Sequence, residues 1–115
     1  MESGGMKMPN SQQVEFKVPA APEPLFQKLA QVKVLGDLKA DLVAEKDLTV
    51  RFVRPSNAWK KGTQALVVLH PDGKGGSAVS IYSCCLSALQ IFDGGENKRN
   101  VENLREKVLQ LAKTL

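Results

Sequence analysis

Three residues of this chain could carry nucleophilic chemistry: the single histidine, His70, and the adjacent cysteines Cys84 and Cys85. A cysteine nucleophile needs a thiolate, which a nearby base or cation stabilises. His70 and Cys84 fall on predicted strands that the turn Pro71–Gly76 joins into a hairpin. A Cys84–His70 pair, and with it a Cys/His enzyme, is one hypothesis. The other, which we favour, is a surface histidine and two thiols that pack as small apolar side chains.

The same residues do not predict a metal site. One histidine and two adjacent cysteines are too few ligands, at an unsuitable spacing, for a structural zinc ion. Neighbours on a strand point to opposite faces, so a disulfide between Cys84 and Cys85 would need a distorted turn. We therefore expect no metal, no cofactor and two free thiols, as in the cytoplasm or another reducing compartment such as a plastid.

A tryptophan among cations is the strongest candidate for a binding surface. The loop SNAWKKGT contains the only tryptophan, Trp59, followed by Lys60 and Lys61, and the strand before it carries Arg51 and Arg54. Such a group can grip an acidic partner or stack on a base. The alternative is a tryptophan that covers the sheet edge beside solvated lysines. The binding hypothesis predicts a non-enzymatic domain that recognises a protein or an acidic ligand through these five residues.

Composition limits the partners further. The chain has 16 basic and 12 acidic residues, and the bases are scattered, which permits nucleic acid without favouring it. Aromatic residues make up 5% of the chain, too few for a sheet that stacks bases.

No apolar run approaches the ~20 residues of a membrane span. We expect a flexible leader at 1–12 and one domain at 13–115, as a monomer or a weak dimer.

Hydrophobic periodicity predicts an α+β fold in the order β-α-β-β-β-β-α. Short connections make the sheet mainly antiparallel, and a short N-terminal helix and a long C-terminal helix cover one face of it. Residues 38–44 could also form a helical turn, but a strand lets Glu45–Asp47 make a hairpin turn. The predicted strands cover 14–18, 38–44, 48–54, 63–70 and 78–84, and the helices cover 22–31 and 98–115.

The C-terminal helix carries one apolar stripe, formed by Val101, Leu104, Val108, Leu111 and Leu115. A helix of this kind packs on a sheet. Because the spacing is also that of a heptad repeat, a coiled-coil dimer is the alternative.

Asp93, Glu96 and Asn97 lie at the start of this helix, where free N–H groups could hold a ligand. Capping explains all three residues, and we favour it. Asp93 and Glu96 have the spacing of a capping box, and Asn97 is a second candidate cap.

The segment VEFKVPAAPEPLFQKLAQV, residues 14–32, resembles the first strand and helix of the helix-grip superfamily, which includes START lipid-transfer domains and polyketide cyclases. The last strand and long helix fit the same plan. The resemblance implies a small carrier that holds an apolar, lipid-like ligand between helix and sheet.

A second resemblance covers the C-terminal third. Asp93, Gly95, Asn97 and Val101 form D-x-G-x-N-x-x-x-V, similar to the signature of a small bacterial and plastid domain family of unknown function. That family usually has an arginine shortly after the serine of the preceding strand, whereas Cys84 follows here. This resemblance implies no activity.

Overall fold

The computed structural model describes residues 11–56, 62–86 and 95–115. These residues form an antiparallel sheet in the order β1-β6-β5-β4-β3-β2 and two helices. The strands are β1 (Ser11–Val18), β2 (Val34–Leu35), β3 (Leu38–Ala44), β4 (Thr49–Arg54), β5 (Thr63–Pro71) and β6 (Ser77–Cys85). The helices are α1 (Pro22–Leu29) and α2 (Glu96–Ala112).

The predicted α+β architecture is confirmed, with one added strand. The two-residue strand β2 was not predicted, because two residues are too short to show a period. It turns into β3 through Gly36, whose φ of 61° is a left-handed conformation that glycine adopts readily. The predicted turn at Glu45–Asp47 is a single 3-10 turn, and it joins β3 to β4 as expected.

The core lies between the helices and the inner face of the sheet. Helix α2 packs on β6, β1 and β5, and also on α1. On its stripe Val101, Leu104 and Val108 are buried, which confirms a core helix rather than a coiled-coil arm. The prediction that Leu115 belongs to the buried stripe is wrong, since α2 ends at Ala112 and Leu115 is 51% exposed. The buried apolar residues of the sheet and α1 include Val50, Phe52, Val67, Leu69, Val79, Ile81, Leu25, Phe26 and Leu29.

The outer face of the sheet carries no described helix. A register shift between Ala40 and Leu42 leaves Asp41 as a bulged residue on β3. Its carboxylate accepts two hydrogen bonds from Arg51, at 2.9 Å from Nε and 3.0 Å from Nη2. The bulge therefore orients the Asp41 side chain towards Arg51 on the neighbouring strand, β4.

The domain boundaries stay a prediction. Residues 1–10 lie outside the described part of the chain, and β1 begins at Ser11, within the leader predicted over 1–12. In the part of the chain that the structure describes, no helix is long and apolar enough to cross a membrane.

Candidate functional site

Two of the five residues predicted to bind a partner belong to the described structure. Arg51 points to the outer face and pairs with Asp41, while Arg54 points to the inner face and pairs with Glu96. Their opposite orientations agree with the alternation of a strand. Trp59, Lys60 and Lys61 lie outside the described residues. Partner binding through these five residues stays a prediction.

The Cys84–His70 pair does not form. Cys84 lies opposite Gln64 of β5. His70 lies six residues after Gln64 on the same strand, opposite Ala78. At 3.3 Å per residue this separates the two by roughly 20 Å along the strand. Cys84 contacts Gln64 and Tyr82 instead. Gln64 Nε2 lies 3.6 Å from the Cys84 sulfur. Burial raises the pKa of Tyr82, and the hydrogen bond between Tyr82 and Cys84 raises this pKa further.

The two cysteines form no disulfide among the described residues, and they point to opposite faces as predicted: Cys84 is half-buried on the outer face and Cys85 is buried on the inner face. Among the described residues, no group of three or more His, Cys, Asp or Glu side chains could hold a metal ion.

A buried group of polar side chains lies where the end of the sheet meets the first turns of α2. We call it the polar cluster. The register brings its strand residues together, because Thr63 opens β5 opposite Arg54 of β4 and Cys85 of β6. All face inwards, towards α2. The cluster comprises Arg54, Thr63, Ser83, Cys85, Glu96, Asn97 and Asn100.

Arg54 and Glu96 form the charged half of the cluster. Arg54 donates to Glu96 through Nε and through Nη2, the second bond being 3.1 Å long. Thr63 Oγ1 also donates to Glu96, at 3.1 Å. The side chains are only 12% and 8% exposed, so this is a nearly buried, bidentate ion pair. Glu96 is therefore held by the sheet, while the capping box predicted for Asp93 and Glu96 rests on Asp93, which lies outside the described residues.

Two asparagines form the neutral half of the cluster. Ser83 Oγ donates to Asn97 Oδ1 at 2.7 Å and accepts from Asn100 Nδ2 at 3.3 Å. Asn97 Nδ2 lies 3.7 Å from the Cys85 sulfur. The prediction that Asn97 caps the helix is wrong. The N-cap is Gly95, at φ 82° and without a side-chain cap, and Asn97 lies inside α2 with its amide turned to the sheet.

Sequence reasoning missed Thr63, Ser83 and Asn100, although the sequence contains the signal. Thr63 and Ser83 occupy positions that strand alternation assigns to the inner face. Asn97 and Asn100 extend the apolar stripe of α2 by one turn towards its N-terminus. Polar side chains at positions that the pattern predicts as buried must find hydrogen-bond partners, so they mark a buried network.

Two adjoining pockets open beside the polar cluster, between α2 and the β2–β3 turn. The first, of about 370 Å³, is lined by Arg54, Glu96 and Asn100 of the cluster and by Asp37 of the turn. The second, of about 740 Å³, follows α2 towards Leu109 and beyond. We call the two together the α2 groove. The residues shared by both pockets are Leu35 and Asn103.

Comparison with known proteins identifies the fold alone. A scan against protein-family models found no match, and a search of curated protein sequences found none. Norcoclaurine synthase from Thalictrum flavum matches with a TM-score of 0.67 and 8% identity, over 90% of this chain and 94% of that chain. Ara h 8.0201 matches with a TM-score of 0.60 and 14% identity, over 90% and 94%. A START superfamily protein from Mycobacterium smegmatis gives 0.60 and 10%, over 89% and 99%.

Each of these matches covers about nine tenths of the chain, and at such low identity the likeness shows the fold alone. The signature D-x-G-x-N-x-x-x-V stays a prediction, since Asp93 lies outside the described residues. The chain has the helix-grip fold, as the resemblance of residues 14–32 predicted.

Proposed function

We propose that this protein is a ligand-binding domain that holds a small molecule with a polar head and an apolar body in the α2 groove. The observation that carries the proposal is that the two pockets share Leu35 and Asn103, so one ligand can extend through both. Their individual volumes, about 370 and 740 Å³, are typical of small-molecule sites.

The two ends of the α2 groove differ in chemistry. At the cluster end, Arg54 and Glu96 offer charged groups and Asn100 offers an amide, which suits a hydrogen-bonding head group. In the larger pocket, Leu35 of β2 and Leu109 of α2 offer apolar surface, between polar and charged side chains of α2. This combination favours an amphipathic ligand and refines the lipid-like carrier that the resemblance implies. A structure of norcoclaurine synthase holds a transition-state analogue, so the fold is able to accommodate a small molecule.

A series of octyl compounds with carboxylate, phosphate, amine and glucoside heads tests the proposal. Titrations followed by amide NMR should shift the signals of Leu35, Asn103 and Leu109. Asn103→Trp should block the junction of the two pockets and weaken binding by at least about tenfold. Gln27→Trp, in a separate pocket beside α1, is the matched control and should leave affinity unchanged. If no octyl probe shifts the groove signals, the proposal is wrong.

A second candidate function is recognition of a protein or acidic ligand by Trp59, Lys60, Lys61, Arg51 and Arg54. The observation that favours it is the fixed base of this loop. The Gly62 N–H donates to Ser56 Oγ at 2.8 Å, and the Leu86 N–H donates to the Gly62 carbonyl at 2.8 Å. A Cβ on Gly62 would lie 2.4 Å from the Arg54 carbonyl oxygen, so only glycine fits there. The residues on the two sides of the loop are thus held against each other.

Poly-L-glutamate is a suitable acidic probe, because the fluorescence of Trp59 reports directly on the loop. The second function predicts a change in emission that rising salt reverses. Replacing Lys60 and Lys61 by alanine should weaken binding mainly at low salt, and Trp59→Ala should abolish most binding to a folded partner. If neither the salt concentration nor the replacement of Lys60 and Lys61 changes the affinity, the α2 groove is the better candidate site.

A further inference from the structure

Strand β1 forms an edge of the sheet. Among the described residues its only strand neighbour is β6. Every second residue of an antiparallel strand directs its N–H and C=O groups to one side, so alternate residues of β1 direct theirs away from β6. An edge of eight residues, Ser11–Val18, is a template to which another strand can pair.

The outer side of this edge carries two opposite charges. Glu15 and Lys17 are both exposed and stand two residues apart on the same face. Glu15 accepts a hydrogen bond of 3.3 Å from Ser80. The pKa of the Asp72 carboxyl is lowered, chiefly by the backbone N–H of Lys74 and also by the charge of Lys17 nearby. Neither contact buries the charges of Glu15 and Lys17, so both are accessible to a strand that adds at the edge.

The charges select one register for pairing between two copies of β1. A two-fold axis perpendicular to the sheet keeps every residue on its own face, so four central registers bear on these charges. With the axis at Glu15, two carboxylates meet, and with the axis at Lys17, two ammonium groups meet. With the axis at Val14, both charges face uncharged residues. With the axis at Phe16, Glu15 of each copy faces Lys17 of the other, which makes two cross-strand pairs of opposite charge.

The inner face supports the same register. With the axis at Phe16, this ring meets its own copy, and Val14 meets Val18. Phe16 and Val14 are only half-buried in a single chain, so pairing would bury them further. The guanidinium of Arg105 lies over the Phe16 ring, 5.6 Å from its centroid, and holds the ring in place before pairing. Pro19 has no N–H, so the ladder ends at Val18.

We propose that β1 pairs antiparallel with β1 of a second copy of this chain, about a two-fold axis at Phe16. The partner is a second copy because β1 is complementary to itself. In an antiparallel pair centred on Phe16, the negative Glu15 of each strand faces the positive Lys17 of the other. The two sheets then continue into one another across the axis. This interface lies on the opposite edge of the sheet from the β2–β3 turn, so it is independent of the α2 groove.

Sedimentation velocity over a range of protein concentrations tests the interface. The unchanged chain should form a reversible dimer that weakens as salt rises. Glu15→Lys and Lys17→Glu should each weaken association by at least about tenfold, since like charges then meet in both pairs. An equimolar mixture of these two variants should form a heterodimer within about threefold of the original affinity, because opposite charges meet again.

The mixture separates association from folding, because two variants that associate with each other must both be folded. Lys39→Glu, an exposed charge reversal on β3 at the other side of the sheet, is the matched control and should leave the dimer unchanged. A chain that stays monomeric at its highest soluble concentration would overturn the proposal. So would a mixture that associates no better than its components.

Discussion

Arg54 and Glu96 lie 42 positions apart in the sequence and form a bidentate, nearly buried ion pair. The pair joins the end of β4 to the first turn of α2. It also forms one wall of the smaller pocket, so a single contact both fastens the helix to the sheet and shapes the polar end of the α2 groove.

Breaking this pair from one side should destabilise the fold strongly. Glu96→Leu leaves the Arg54 guanidinium buried without its carboxylate, which we expect to cost about 3–5 kcal/mol. The double variant Arg54→Met with Glu96→Leu should cost less than Glu96→Leu alone, since no buried charge remains. Urea denaturation measures both. Arg51→Ala, at the exposed pair with Asp41, is the control and should have a much smaller effect.

Equal destabilisation of the single and double variants would contradict this reasoning. It would mean that the packing of the two side chains, rather than the pairing of their charges, holds α2 in place.

Two of the three leucines of the predicted stripe lie in opposite environments, which permits a matched comparison. Leu104 is fully buried and Leu115 is 51% exposed. Leu104→Ala should lower the free energy of unfolding by about 2–5 kcal/mol, because it removes buried methyl groups and leaves a cavity. Leu115→Ala should change it very little. Similar denaturation midpoints for the two variants would show that α2 is detached from the sheet in solution.

Residue patterns predict which side of a regular strand such as β4 is buried, and they fail where a distant contact overrides a local preference. Val50 and Phe52 lie inwards and Arg51 outwards, as alternation requires. Asn97 was expected to cap α2, which is a local preference of asparagine. Its side chain instead accepts a hydrogen bond from Ser83, 14 residues earlier, and Gly95 occupies the N-cap position. The sequence marks Asn97 as polar and inward-facing, but it does not show which strand supplies the partner.

Asp72 makes the turn between β5 and β6 sensitive to pH. Its Oδ1 accepts from the backbone N–H groups of Lys74 at 2.7 Å and Gly76 at 3.0 Å. The Lys74 N–H is the main cause of the lowered pKa of this carboxyl, ahead of Gly76 and the lysine charges. A carboxyl with a lowered folded-state pKa stabilises the fold above its unfolded pKa, about 3.9, and this stabilisation is lost as pH falls through the folded-state value.

Asp72→Ala should therefore destabilise the protein at neutral pH, and the difference from the original chain should shrink as pH falls below about 4. Asp72→Asn should lie between the two, since its amide oxygen can still accept both bonds but carries no negative charge. Thermal unfolding from pH 7 to pH 2.5 measures the trend. A difference that does not change with pH would assign the effect to turn geometry rather than to charge.

The neutral half of the polar cluster should show energetic coupling between Ser83 and Asn97. Their hydrogen bond is 2.7 Å long and both residues are fully buried, so removing either partner takes this bond from the other where water cannot replace it. The double variant Ser83→Ala with Asn97→Ala should cost about 0.5–3 kcal/mol less than the sum of the two single variants. Urea denaturation of the four proteins gives this coupling energy. The control cycle of Ser83→Ala with Thr114→Ala, at the far end of α2, should be additive. Additivity in the first cycle as well would mean that Ser83 and Asn97 are each satisfied without the other, and that the polar cluster is not one network.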